Sequence, residues 1–205
     1  MLLGMAVLGL HDLAMKTLSL TLAATFISVG VGLPVGVLSA KYDRFESILR
    51  PILDTMQTMP SFVYLIPVLM LLGLGRVPAV FATVVYAIPP MIRLTNLGIR
   101  QVDPDVVEAA KSFGSTSLQM LMKVELPMAR PTIMAGVNQT IMMALAMVVI
   151  ASMVAAPGLG IEVFKGIAGL DIGRGLLGGI GIVILAVIID RISQGFAKPT
   201  RTGTT

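Results

Sequence analysis

"TLSLTLAATFISVGVGLPVGVLSA" fills residues 17–40 and carries no charge between Lys16 and Lys41. A helix crosses the hydrocarbon of a bilayer with roughly 20 mostly apolar residues, each adding about 1.5 Å. This run is long enough, so the fold is read outward from a membrane helix. The composition agrees. Of 205 residues, 56% are hydrophobic and 13% charged, with a mean hydropathy of +0.92. Soluble domains carry about 25% charged residues. Too little polar surface is available to coat a soluble fold of this length, and the expected class is an all-α, polytopic membrane bundle in contact with lipid.

Four further spans are expected, at 55–75, 77–97, 132–156 and 175–193, with a polar loop of about 100–130 between the third and fourth. The whole chain, 1–205, reads as one transmembrane domain. The apolar stretch at 1–10 is too short to span. It lacks a basic start and a clean cleavage site, so it does not read as a signal peptide.

Five spans place the termini on opposite sides, and charge assigns the sides. Lys41, Arg44, Arg50, Arg93, Arg100, Lys111, Lys123, Arg130, Arg191, Lys198 and Arg201 fall in one set of loops. Only Lys16, Arg76, Lys165 and Arg174 fall in the other. The excess of Lys and Arg marks the cytoplasmic side. The N-terminus is then expected outside, and the C-terminus and the 100–130 loop in the cytoplasm. These basic residues are scattered in short clusters, so the net charge of +4 is not a nucleic-acid signal.

Several chemistries are excluded. Without cysteine there is no thiol catalysis and no Cys-based metal site, and one histidine, His11, cannot build a metal cluster. Neither Lys16-Thr17 nor Lys111-Ser112 has the glycines of a P-loop. No catalytic residue is assigned and no cofactor is expected on this chain. Ionisable residues of the kind that couple ions in secondary transporters are not seen deep within the first, second or fourth span.

The loop has its own grammar. Asp103 suits an N-cap, Pro104 the first helical position and Asp105 the positive end of a helix. Gly114 is a natural left-handed stop. Thr116 and Gln119 have capping-box spacing for a second short helix, which Pro127 is expected to close. That helix should place Leu118, Leu121 and Met122 on one face. Ala109 and Ala110 thin the first helix and permit close approach. The pair suits either docking to another protein or a plain connection between spans.

Glu108-Ala109-Ala110, three residues, Gly114, nine residues, then Val124, one residue and Leu126-Pro127 resembles the EAA signature of ABC importer permeases. Only Val124 departs, from an isoleucine. Residues 50–75, 126–154 and 178–194 are similar to the permeases of glycine betaine/proline betaine importers. The resemblance implies that Glu108, Ala109, Ala110, Gly114, Val124, Leu126 and Pro127 form a coupling segment docked on a cytoplasmic ATP-binding subunit, which holds ATP and Mg. It implies a homodimer and a separate extracytoplasmic substrate-binding protein. The solute would be glycine betaine or a related quaternary-ammonium compound. A permease for another small solute, such as an amino acid, shares this core. An ATPase-independent secondary transporter is the remaining alternative.

Quaternary ammonium groups are usually held in aromatic cages. This chain has no tryptophan and three tyrosines. Tight selection is therefore expected on the external protein. Gln57, Thr58, Asn138, Gln139 and Thr140 are polar groups expected at or near membrane depth. They either line the translocation path or bond neighbouring helices. Gly32/Gly36 and Gly175/Gly179 have the spacing of close helix contacts.

Overall fold

The computed structural model describes residues 9–197, with side chains to 195. Residues 1–8, Lys198 and Arg201 lie outside it. Among the described residues nine α-helices follow in order: α1 His11–Lys41, α2 Asp43–Thr58, α3 Ser61–Leu72, α4 Arg76–Arg100, α5 Pro104–Ser112, α6 Ser117–Met120, α7 Leu126–Val154, α8 Gly160–Ala168 and α9 Ile172–Ala197. A π-turn, Leu121–Glu125, joins α6 to α7. The chain is a multi-pass membrane bundle. Among the described residues four helices are long and apolar enough to cross, and α2 with α3 form a bent pair, either a broken span or a re-entrant hairpin.

The bend corrects the second expected span. Residues 55–75 do not form one helix: α2 and α3 meet at 94°. Pro60 disfavours helical backbone at Met59, which adopts φ −74° and ψ 136°. Released there, α3 keeps 12 residues, about 18 Å at 1.5 Å each and short of the hydrocarbon core. α2 is amphipathic, and Leu53 is its one buried residue.

α4 lies at the centre, packed most extensively against α1 and α7. Small residues allow this. Along α1, Thr17, Thr21, Ala24, Ser28, Gly32 and Gly36 are buried. A Cβ on Gly36 would stand 2.6 Å from Thr95 Cβ and 2.8 Å from the Ile92 carbonyl oxygen. The Gly32/Gly36 spacing therefore marks a real contact with α4. Gly175/Gly179 does not act as a pair. Gly175 lies against Gly166 of α8, and nothing stands within 4 Å of a Cβ on Gly179.

Polar groups inside the bundle are mostly satisfied locally. Thr21 donates to the Thr17 carbonyl at 2.8 Å and Thr83 to the Ala79 carbonyl at 2.7 Å, as expected where no water is available. The start of α8 is pinned by two side chains. Thr17 Oγ1 accepts from the Leu159 N–H and Ser152 Oγ from the Gly160 N–H, both at 2.9 Å. These bonds use donors that a helix start leaves free.

Candidate functional site

The 101–127 segment emerges at the bundle end that carries Lys41, Arg50, Arg93 and Arg100, here called the basic end. Its first helix starts as its sequence directs. Asp103 accepts from the Asp105 N–H at 2.9 Å, with Pro104 at the first position. It stops at Gly114, where φ is +78°. The Ser115 N–H reaches the Ala110 carbonyl at 3.2 Å and the Gly114 N–H the Lys111 carbonyl at 2.9 Å. That pair of bonds is a Schellman ending. The capping box then closes on both sides. Thr116 Oγ1 accepts from the Gln119 N–H at 3.3 Å, and Gln119 Oε1 accepts from the Thr116 N–H at 2.9 Å.

Two expectations for this segment are corrected. Pro127 does not close the second helix. α6, the π-turn and α7 run on as one continuous helix, Ser117–Val154. The Leu126 N–H bonds the Leu121 carbonyl, five residues back. This wider turn leads the helix into Pro127, at the start of α7, where a missing N–H and a ring against the preceding turn would otherwise break it. Nor do Leu118, Leu121 and Met122 share one environment. Leu121 is buried, while Leu118 is 68% and Met122 58% exposed.

The motif residues divide by depth. Glu108, Ala109, Gly114 and Pro127 are exposed; Ala110, Val124 and Leu126 are half-buried. Leu126 packs on the cluster of Met91, Ile99, Leu121, Ala129 and Ile133, which roots the segment in α4 and α7. No residue of α5 is buried, and Phe113, at its end, is 90% exposed. The turn thus presents Phe113, Leu118 and Met122 around a thin Ala109–Gly114 edge. A Cβ on Gly114 would meet nothing within 4 Å. Phe113 is silent in the sequence, because a lone aromatic before a glycine has no local signature.

The polar residues proposed for a path do not converge. Gln57 and Thr58 are exposed in the last turn of α2, just before the bend, and not inside a span. Asn138 accepts a hydrogen bond from Ser193 of α9, so it ties two helices. It also lines a mainly apolar cleft of about 590 Å³ between α1, α7 and α9. Thr140 is fully buried and its hydroxyl has no partner among the described residues. Gln139 alone of the α7 trio is exposed. Successive residues of a helix point about 100° apart, so three neighbours cannot face one channel.

At the opposite end, Glu162 of α8 receives Arg174 Nε at 2.6 Å and Lys165 Nζ at 3.4 Å. The hydrogen bond from Arg174 is the main reason its carboxyl sits below the ordinary glutamate range, despite burial that pushes the other way.

The family described as binding-protein-dependent transport system inner membrane component matches residues 32–201. The chain belongs to this family. Within curated relatives, it is 53% identical over 201 residues to the glycine betaine/proline betaine transport system permease protein ProW of Escherichia coli (strain K12). That match covers 98% of this chain and 57% of the relative. It is 54% identical to the glycine betaine/carnitine transport permease protein GbuB of Listeria monocytogenes serotype 1/2a (strain 10403S), over 91% of this chain and 66% of the relative. The chain thus spans less than two thirds of either relative's length. Its fold matches a chain of the MetNI methionine ABC transporter in an inward-facing conformation. The TM-score is 0.83 at 22% identity, covering 95% of this chain and 96% of that one.

Proposed function

We propose that this chain is the membrane-spanning permease subunit of an ATP-driven importer for glycine betaine or a related quaternary-ammonium solute. The 108–127 segment docks on a cytoplasmic ATPase, which binds ATP and Mg. A separate extracytoplasmic protein delivers the solute, and two copies of the permease enclose the path. The basic end then faces the cytoplasm, with the N-terminus outside and the C-terminus inside. The chain itself performs no catalysis.

The observation that carries this reading is the projecting turn. Three large apolar side chains are exposed beside a thin helix edge, on a segment whose base is locked into α4 and α7. Burying a side chain of this size contributes about 1.5–3 kcal/mol. A membrane end in water gains nothing from holding Phe113 outward, whereas a grooved partner does. The identity to ProW and GbuB supports the choice of solute.

The test is association with the candidate ATPase, followed by uptake of labelled glycine betaine into proteoliposomes that also receive the binding protein. Uptake requiring both ATP and the binding protein is the expected result. Association and ATP hydrolysis without betaine uptake would move the solute to another small molecule, such as an amino acid. No association would return residues 108–127 to a connecting loop.

A further inference from the structure

α2 is held in an unusual way for a helix at the foot of a bundle. Leu53 is its one buried residue, and a cleft of about 350 Å³ lies between it and α4. Apolar packing holds α2 only at Leu53 and, beside the bend, at half-buried Met56 against the core. Charge holds the rest. Arg100, the last residue of α4, reaches Asp43 at 2.7 Å, Glu46 at 3.1 Å and the Ser39 carbonyl oxygen at 3.2 Å. One turn-pair earlier on the same face of α4, Arg93 bonds Asp54. Between them Asn96, buried, donates to Ser39 Oγ at 2.7 Å. Two arginines seven residues apart thus grip α2 near both ends.

These pairs are a third or more exposed on the arginine side. Exposed pairs contribute little to stability. Their partners lie 57 and 39 residues away in sequence, so they join elements that the chain itself does not hold together. Arg100 is also where the 101–127 segment leaves α4. At its other end α2 meets the bend, and there the Tyr64 hydroxyl of α3 bonds the Met56 carbonyl oxygen of α2. Tyr64 and Leu65 in turn are buried with Ala79, Ala82, Met147 and Val148 in the core.

We propose that Arg93 and Arg100 are positioning residues that lace α2 to the foot of α4. α2 becomes a lever that carries displacement of the 108–127 segment to the bend at Met59-Pro60. This rests on the coupling role proposed above. It adds a second route into the membrane, beside the direct one through α7.

The test uses the reconstituted complex with ATPase and binding protein, and reads betaine imported per ATP hydrolysed. Arg93→Asp, Asp54→Arg and Arg100→Gln should each lower that ratio about five-fold while hydrolysis continues. The double exchange Arg93→Asp/Asp54→Arg should bring it back near the wild-type value; a merely structural loss would instead lower assembly and hydrolysis together with import. Single variants that fail to assemble are replaced by Arg93→Gln and Asp54→Asn, read the same way. An unchanged ratio in all single variants, or a double exchange no better than its parents, overturns the lever. A wild-type complex that imports nothing instead overturns the underlying assignment.

Discussion

At Gly36 the two central helices touch with no room for a side chain. A methyl group there would stand 2.6 Å from Thr95 Cβ, a backbone-borne atom that no rotamer change can move. Gly36→Val should therefore push α1 from α4 and cost about 1–3 kcal/mol, read as a lowered unfolding midpoint in detergent. Gly114 differs, because space around it is open and only its φ of +78° resists a side chain. Gly114→Asp should insert normally and keep the bundle's unfolding midpoint, since aspartate tolerates left-handed backbone better than most residues. It should nevertheless abolish ATP-driven uptake, by placing a charge on the thin edge offered to the ATPase. Normal uptake in this variant would sink the docking assignment. At this scale much was legible in the sequence. Asp103, Gly114, Thr116 and Gln119 act through bonds to their own neighbours, so spacing alone predicts them. Arg100 acts through partners distant in sequence, and Phe113 is exposed with no local bond to reveal it, so spacing is silent about both.

Among the elements, the least legible was the second span. Its hydropathy runs unbroken through Met59-Pro60, and only the pre-proline restriction hints at the bend. Pro127 misled in the opposite direction, because a π-turn can carry a helix across a proline that looks terminal. The α8–α9 pair shows a tie that no motif signals, Glu162 with Arg174, and it sets a pH dependence. The Glu162 carboxyl is held below its ordinary value in the folded chain. Its contribution to the tie is thus fully present above the unfolded value, and is lost as pH falls through the depressed folded one. At neutral pH the connection should be intact. In acid, below the ordinary glutamate range, amide exchange in α8 should rise, and Glu162→Gln should show raised exchange at both pH values with that acid step removed. An acid step that survives in Glu162→Gln would assign it to another carboxyl.

On the scale of the whole molecule, the described residues of one chain do not enclose a polar route. Asn138 is committed to Ser193, Thr140 is buried, Gln57 and Thr58 sit at the basic end, and the cleft beside Asn138 is mainly apolar. The side of α7 that carries Gln139 is left exposed among the described residues. The proposed second copy supplies the missing wall, and its presence makes a counting prediction. Wild-type and Gly114→Asp copies are co-expressed in equal amounts under separate tags and reconstituted with the ATPase and the binding protein. If each transporter holds two copies and needs both coupling segments, random pairing leaves about a quarter of wild-type uptake. If one copy suffices as a unit, about half remains. Each tag should also capture the other in detergent, at a ratio that light scattering places at two permeases per complex. Uptake near one half, together with no cross-capture, would mean that the route lies within a single chain, and Gln139 would then have to be sought among surfaces facing lipid.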